Sequence, residues 1–327
     1  MARSILLLAA GVVALFIAGC ARSPLVPKAT VLADEPVEWE IQTDGNFPRV
    51  RLDLDGGRTA WCLIDTGADA AVFSQALARH WNISHRPPDH PTPQFPHLQV
   101  GHVRALQLHG ARWERFTAAV FPSEFLQYRG VDALLGSPLF VECALQVDYA
   151  AQRARLFRHP PPAHAADLVL ARFGRDGRRY VAIDIAGQRH WALLDTGFSE
   201  AIIVPQRLAQ RLSFKAPPLH GVPVRTMYDA REDFGIARID ATVRLGRHEI
   251  LNPIVLIRSP RPPEAPANLA EPMTFGTNEE LVVGSGLLKH FVLTLDQRSG
   301  TVVLQRASNA PIITPSVASY GLSLIHI

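Results

Sequence analysis

Apolar and polar residues alternate along two stretches of the chain that resemble each other. "VRLDLDGGRTAWCLIDTG" (Val50–Gly67) and "VAIDIAGQRHWALLDTG" (Val181–Gly197) each begin with a period-two pattern and pass through a glycine turn into a more apolar strand. Both strands end in Asp-Thr-Gly. Because a charge at the end of a buried strand is costly unless it is paired or used, the pattern predicts a partner for Asp65 and for Asp195.

The two halves of the chain share more than this pair of strands. "LLGSPLFVECALQVD" (Leu134–Asp148) aligns without a gap with "VVGSGLLKHFVLTLD" (Val282–Asp296), so that Gly136 matches Gly284. Each half also carries a short helix-like stretch, "SQALARHW" or "PQRLAQRL", after its Asp-Thr-Gly strand. Many short strands with turn residues between them favour all-β halves, and the repeated order indicates a tandem duplication.

Length and composition agree with two domains, since the 327 residues are 47% hydrophobic and can bury a sizeable core. We place the first lobe at residues 38–157 and the second lobe at residues 168–306, joined by a Pro-rich linker at 158–167. A tail follows at 307–327. Its final part, 322–327, matches a translation of the transposon mosaic end used in sequencing libraries, and we interpret it as an artefact of the gene model.

The first residues have the pattern of a signal peptide. A run of 14 apolar residues, "ILLLAAGVVALFIA", is short for a membrane span and typical of a signal h-region. It ends in Ile-Ala-Gly-Cys, which resembles the lipobox of bacterial lipoproteins. The resemblance implies a signal peptide over 1–19, a lipidated Cys20, a polar tether over 20–37 and, because Ala21 is not Asp, an outer-membrane location facing the periplasm. A plain secretory signal with Cys20 as a bystander is the alternative.

Net charge and histidine spacing indicate which classes of binding partner to expect. The formal net charge is only +3, and 30 of the 33 basic residues are Arg without a basic stripe, so nucleic acid is not expected. Histidines are frequent in the first lobe, but none has HExxH-type spacing, which favours exposed loop residues over a metal site. These histidines are His80, His85, His90, His97, His102 and His109. We expect no metal and no organic cofactor.

Two cysteines remain after Cys20. Cys62 and Cys143 both lie in apolar segments. A disulfide is allowed in the periplasm, and two buried free thiols are equally ordinary. The sequence does not fix their separation, so both possibilities stay open.

Duplicated Asp-Thr-Gly loops can bring two carboxylates together. Glycine lets the backbone turn sharply and pass close to another chain segment, and a threonine hydroxyl can bond to backbone across a two-fold axis. Two adjacent carboxylates cannot both ionise comfortably, so one keeps a proton. The pair can then act as general base and general acid on a shared water that attacks an amide carbonyl. Because such a pair titrates as a unit, neither Asp65 nor Asp195 is given a fixed role.

These motifs resemble those of retropepsin-like aspartic proteases. "LIDTGAD" in the first lobe is similar to the viral form of the motif, and "ALLG" (Ala133–Gly136) and "LVVG" (Leu281–Gly284) are similar to the apolar element beneath the catalytic loop. The resemblance implies an all-β protein of two tandem retropepsin/pepsin-like acid-protease β-barrel lobes with a cleft between them. It further implies an aspartic endopeptidase that acts as a monomer on a peptide or protein substrate. The implied site comprises the catalytic dyad Asp65 and Asp195, interlocking Thr66 and Thr196, turn glycines Gly67 and Gly197, and supporting Gly136 and Gly284.

Some positions depart from the family pattern. Phe198 follows the second glycine where a small residue is usual, and its ring could narrow the cleft. Ser199 is the candidate replacement for the hydroxyl lost there, and Ala68 follows the first glycine. "VPVRTMYDAREDFGIARI" (Val222–Ile239) predicts a flap hairpin with Tyr228 near its tip. These four residues, Ala68, Phe198, Ser199 and Tyr228, are the candidate cleft residues.

The departures leave two alternatives. The first lobe has "SHRPPDHPTPQFPHLQV" (Ser84–Val100) in the flap region, and its prolines predict no regular ladder, which leaves a stiff loop or no flap. Together with Phe198, this favours as an alternative a catalytically inactive peptide-binding or scaffolding lipoprotein on the same fold. The other alternative is that each lobe pairs with the lobe of another chain.

Overall fold

The computed structural model describes residues 23–33, 35–89, 97–127, 130–174, 177–225, 231–258 and 280–314, and these residues are mostly β-strand. Among their helices, none is long and apolar enough to cross a membrane. The predictions for Cys20, for Tyr228 and for residues 322–327 concern positions outside the described residues.

The strands are short and evenly distributed along the chain. They are β1 (Ala29–Leu32), β2 (Val37–Gln42), β3 (Arg49–Leu54), β4 (Arg58–Asp65), β5 (Val72–Ser74), β6 (Ser84–Arg86), β7 (Gln99–Leu108), β8 (Ala111–Phe121), β9 (Ala133–Gly136), β10 (Ala144–Asp148), β11 (Arg153–Phe157), β12 (Leu168–Val169), β13 (Ala171–Phe173), β14 (Arg179–Ile185), β15 (Gln188–Asp195), β16 (Ile202–Pro205), β17 (Leu219–Arg225), β18 (Arg231–Arg238), β19 (Thr242–Leu245), β20 (His248–Leu251), β21 (Ile254–Arg258), β22 (Leu281–Gly284), β23 (Val292–Asp296), β24 (Thr301–Gln305) and β25 (Ile312–Ile313). The helices are α1 (Gln75–His80), α2 (Glu124–Gln127), α3 (Gln206–Ala209) and α4 (Ser285–Leu288), with 3₁₀ turns at Asp44–Asn46, Asp55–Gly57, Ser137–Phe140 and Ala165–Asp167.

The described strands form two sheets that repeat the same local topology. In the first lobe β4 runs parallel to β9, and β5 lies between β9 and β8. In the second lobe β15 runs parallel to β22, and β16 lies between β22 and β21. Each half therefore has the same strand order around its Asp-Thr-Gly motif, as the internal repeat predicts.

The Asp-Thr-Gly strands are apolar on both faces because each face packs on a different cluster. In β4, Cys62 and Ile64 belong to the main core, whereas Leu63 packs with a smaller cluster in the same lobe. In β15, Leu194 faces the main core and Leu193 a second small cluster. Burying a leucine or isoleucine stabilises the fold by about 1.5–3 kcal/mol, so both faces hold these strands in place.

A continuous sheet joins the two lobes. Strand β10 of the first lobe pairs antiparallel with β23 of the second, and Gln146 lies opposite Thr294. These two residues are equivalent in the sequence repeat, so the pair marks a pseudo-two-fold axis. The Gln146 side-chain amide donates to Thr294 Oγ1 at 3.0 Å across that axis.

The segment expected to be a polar tether is instead packed on the first lobe over its described part. Strand β1 pairs antiparallel with β8, and Thr117 N donates to Pro24 O at 2.8 Å. Leu25 and Val26 are 2% and 4% exposed. These apolar side chains find a place on an edge of the sheet that already exists, and the neighbouring prolines do not prevent an edge strand.

Both flap regions begin as antiparallel hairpins. In the second lobe β17 pairs with β18, as predicted for the hairpin over Val222–Ile239. In the first lobe β6 pairs with β7 over three residues, so the expectation of no regular ladder is wrong at the base of this region. The ladder fits there because β6 ends at Arg86, before the first proline of the segment.

Candidate active site

Two equivalent loops meet at the pseudo-two-fold axis. The first Asp loop (Asp65–Ala68) begins at the end of β4, where Asp65 lies opposite Gly136 of β9. The second Asp loop (Asp195–Phe198) begins at the end of β15, where Asp195 lies opposite Gly284 of β22. Each aspartate is therefore fixed at the end of a strand that is held by neighbours on both sides.

The two threonines interlock across the axis. Thr66 Oγ1 donates to Leu194 O at 2.7 Å, and Thr196 Oγ1 donates to Ile64 O at 2.6 Å. Each threonine amide then donates to the hydroxyl of the other threonine at 3.1 Å. Both side chains are fully buried, so water cannot satisfy their donors and acceptors. These protein hydrogen bonds do so instead, and losing one would leave a buried polar group unpaired. This four-bond lock holds the two Asp loops in one relative position.

Each carboxyl group lies against the glycine of the opposite loop. A Cβ placed on Gly67 would lie 2.6 and 2.7 Å from the two Asp195 carboxylate oxygens. A Cβ placed on Gly197 would overlap the Asp65 carboxyl group in the same way. Only glycine permits this approach at either position. Each carboxyl group is consequently in contact with the loop that carries the other one.

Backbone amides of each Asp loop donate hydrogen bonds to the carboxylate of the same loop. Asp65 Oδ1 accepts from Gly67 N at 3.1 Å and from Ala68 N at 3.0 Å. Asp195 Oδ1 accepts from Gly197 N at 2.8 Å. Amide donors favour an ionised carboxylate, whereas the neighbouring carboxyl group disfavours a second charge. The arrangement suits a pair that holds one proton between them.

The supporting glycines are required for steric reasons. A Cβ on Gly136 would overlap the backbone carbonyl of Ala70, and a Cβ on Gly284 would overlap the carbonyl of Glu200. The residue after each of these glycines is a buried serine that the sequence interpretation missed. Ser137 Oγ donates to Thr66 O at 2.6 Å, and Ser285 Oγ donates to Thr196 O at 2.8 Å. The repeated Gly-Ser pair in the two halves was the signal for them.

The candidate cleft residues do not form one equivalent set. Ala68 is buried in the first Asp loop at 5% exposure. Phe198 is partly buried, and its ring packs against the apolar cluster of the second lobe that contains Leu193. Ser199 Oγ donates to Glu200 Oε1 at 3.2 Å.

The remaining sequence candidates are not part of this centre. Cys62 and Cys143 are free, buried thiols, and burial raises the pKa of each to about 12. No group of three or more His, Cys, Asp or Glu side chains within the described ranges could hold a metal ion. Among the first-lobe histidines, His85 Nδ1 contacts Ile83 O and His109 Nε2 contacts Arg51 O, and both contacts lie within the first lobe.

Topology and site together define the fold class. The described residues are mostly β-strand and form two tandem lobes that repeat one topology around an Asp loop, in agreement with the retropepsin/pepsin-like fold that the sequence predicts. No family model matches the sequence, and no curated protein matches it.

Several solved structures are similar to this chain. Basic 7S globulin from soybean is similar at a TM-score of 0.43 and 13% identity, over 88% of this chain and 96% of that chain. Conglutin gamma, a basic 7S globulin from lupine seeds, gives 0.42 and 11%, over 91% and 97%. A retropepsin-like aspartic protease from Rickettsia conorii gives 0.28 and 17%, over 42% and 87%.

Proposed function

We propose that the chain is an aspartic endopeptidase of the retropepsin-like kind, in which Asp65 and Asp195 activate a shared water to hydrolyse a peptide bond. One observation carries the proposal. The threonine lock and the two glycines bring the carboxyl groups of the two lobes together at the cleft. Bringing two carboxylates together at the ends of two buried strands costs free energy of folding. Such a pair is therefore expected where its chemistry has a function.

The proposed reaction needs only the dyad and water. The ionised carboxylate takes a proton from the water, whose oxygen forms a bond to the carbonyl carbon of the substrate amide. The protonated carboxyl group donates to the carbonyl oxygen as negative charge develops there. The C–N bond of the tetrahedral intermediate then breaks, and the leaving nitrogen receives a proton from the dyad. No metal or organic cofactor takes part in this scheme.

The substrate proposed is an extended peptide or a protein segment. Phe234 and Ile236 of β18 belong, together with Leu193, to a buried apolar cluster of the second lobe that anchors the base of the β17–β18 hairpin. We propose that this hairpin closes over a bound extended peptide and excludes water from the reaction. The two lobes supply one aspartate each, so we propose that a single chain is active.

The proposed location is the bacterial cell envelope, with Cys20 lipidated and the lobes facing the periplasm from the outer membrane. The sequence supports this through the apolar run and the Ile-Ala-Gly-Cys motif. Because Leu25 and Val26, a few residues after Cys20, are packed on the first lobe, an anchored chain would be held with that lobe close to the membrane. Mass spectrometry of the membrane fraction, compared with Cys20→Ser, tests this: loss of the acyl mass and release of the protein are expected.

An inactive peptide-binding or scaffolding protein is the second candidate. It is favoured by the absence of a hydroxyl directly after either glycine, where Ala68 and Phe198 stand. The hydroxyl of Ser199, the candidate replacement for that group, donates to Glu200 Oε1 at 3.2 Å. On this reading the cleft would bind peptides without turning them over.

One experiment separates the two candidates. The chain from residue 21 is incubated with a mixed peptide library between pH 3 and 8, beside Asp65→Asn, Asp195→Asn and the control Asp184→Asn, whose carboxylate pairs with Arg189 on the surface. Each dyad variant should lose at least about a thousandfold in cleavage, and the control should not. Cleavage that survives both dyad substitutions would rule out the mechanism, and peptide binding without cleavage would support the scaffold.

A further inference from the structure

Two side chains that the proposed reaction does not use lie beneath the Asp loops, and each comes from the opposite lobe. Arg179, the first residue of β14 in the second lobe, is 0% exposed. Its Nη1 donates to Ser137 Oγ at 3.0 Å and its Nη2 to Phe140 O at 3.2 Å in the first lobe. Tyr149, directly after β10 in the first lobe, places its hydroxyl 2.7 Å from Ser285 Oγ in the second lobe.

The direction of each hydrogen bond follows from the number of protons. Ser137 has one hydroxyl proton, which it donates to Thr66 O, so it accepts from Arg179. Ser285 likewise donates to Thr196 O, so Tyr149 is the donor to Ser285. Two relays result, Arg179 to Ser137 to Thr66 and Tyr149 to Ser285 to Thr196. Each relay ends on the carbonyl of the residue that follows a dyad aspartate.

The two relays have the same layout but different chemistry. The first begins at a guanidinium and the second at a phenol, and the duplication preserves neither donor. Pro48 occupies the first-lobe position equivalent to Arg179, and Gln297 occupies the second-lobe position equivalent to Tyr149. A donor that is charged makes stronger hydrogen bonds than a neutral one. Each Asp loop is therefore supported by its own cross-lobe donor.

We propose that Arg179 and Tyr149 are positioning residues, each of which holds the Asp loop of the opposite lobe at its place in the dyad through a serine relay. The catalytic meaning of this inference rests on the proposed function, whereas the effect on the loops does not. Burial raises the pKa of the Tyr149 hydroxyl. The hydrogen bond to Ser285 lowers that pKa and the nearby Asp195 raises it, and the net effect is an increase. The phenol therefore keeps its proton and remains a hydrogen-bond donor. The first Asp loop depends on a charge-assisted relay, so loss of its donor should affect it more strongly than loss of the Tyr149 hydroxyl affects the second loop.

Local hydrogen exchange in Arg179→Met and Tyr149→Phe tests the relays. Peptides covering residues 62–70 and 192–200 report the two loops separately. Arg179→Met should speed exchange of the first loop about fivefold to thirtyfold and the second loop much less. Tyr149→Phe should speed the second loop about fivefold and leave the first near wild type. Tyr180→Phe, which removes a hydroxyl bonded to Glu280 instead, is the matched control and should change neither loop.

Activity then separates positioning from structural support. If the chain cleaves peptides, each variant should lower kcat about tenfold with KM little changed, and Arg179→Lys should recover part of the loss. Unchanged exchange in both variants, or equal effects on both loops, overturns the inference whatever the activity. Altered exchange with unchanged kcat overturns the positioning role. A wild-type chain that cleaves nothing counts against the proposed function only. Should Arg179→Met not fold, Tyr149→Phe carries the same test on the second loop.

Discussion

The two Asp loops are alike in everything that fixes their backbone and different in what surrounds them. Both place a threonine in the mutual lock and a glycine under the opposite carboxyl group. Around them the pattern diverges. The first loop continues into the buried Ala68 and keeps Asp65 at 6% exposure, whereas the second continues into Phe198 and leaves Asp195 more exposed.

This difference shows which contacts the duplication has constrained. The reciprocal contacts of the threonine lock pair the same residue of each copy, so a change in one copy would need a matching change in the other. Contacts within one lobe, such as the packing of Phe198 on its own apolar cluster, affect one copy only. The symmetric contacts fix the positions of the two carboxyl groups. The asymmetric contacts give the two aspartates different surroundings and different exposure.

The strongest test of the shared part is to add one methyl group to either glycine. In Gly67→Ala the new Cβ overlaps the Asp195 carboxyl group, and in Gly197→Ala it overlaps that of Asp65. Each variant should lose at least about a thousandfold in kcat/KM, because the carboxyl group of the other loop must move out of the dyad. Cleavage of a fixed peptide under identical conditions measures both.

A glycine outside the site provides the control. Gly56 has a φ of 75° and open space around its Cβ position, so Gly56→Asn keeps a conformation that Asn tolerates. This variant should cleave as the wild type does. If only one of Gly67→Ala and Gly197→Ala impairs cleavage, the two loops do not contribute equally and the symmetric description fails.

Phe198→Ala makes the second Asp loop resemble the first and tests the asymmetric part. The ring packs against the cluster that includes Leu193 and Ile203, so its loss should lower the free energy of unfolding by about 2 kcal/mol, less than for a fully buried phenylalanine. Urea unfolding measures this. Unchanged stability together with tighter peptide binding would mean that the ring occupies the cleft instead, as the sequence first suggested.

The sequence predicted most of what repeats in the two halves, except the buried serines Ser137 and Ser285, and it missed the contacts that do not repeat. The Asp-Thr-Gly strands and the supporting glycines were recognisable because two copies share the same apolar run and the same steric need for glycine. Arg179 and Tyr149 have no counterpart in the other half, and their contacts join residues 42 and 136 positions apart, so no local pattern marks them. Strand β1 was missed because it contains few apolar residues. Their burial comes only from pairing with the edge of a sheet that is already folded, which no local sequence pattern indicates.

The last and smallest effect distinguishes the lobes by their response to acid. His248 on β20 of the second lobe is 4% exposed, its Nε2 contacts Leu304 O at 3.1 Å, and its ring lies 4.9 Å from that of Phe291. Burial lowers the pKa of His248 below its ordinary value of 6.5. Burial also lowers the pKa of His190 and of His290, both in the second lobe.

The sign of the effect follows from proton binding. Below pH 6.5 the unfolded chain takes up a proton at His248 that the folded protein resists, so the free energy of unfolding falls as the pH falls and is restored above that value. His248→Phe and His248→Gln cannot titrate, and both should lose less stability than the wild type between pH 7.5 and pH 5 in urea unfolding. Exchange measured at pH 5 should rise first in second-lobe peptides. An identical pH dependence in wild type and both variants would show that His248 is not the group that makes the second lobe sensitive to acid.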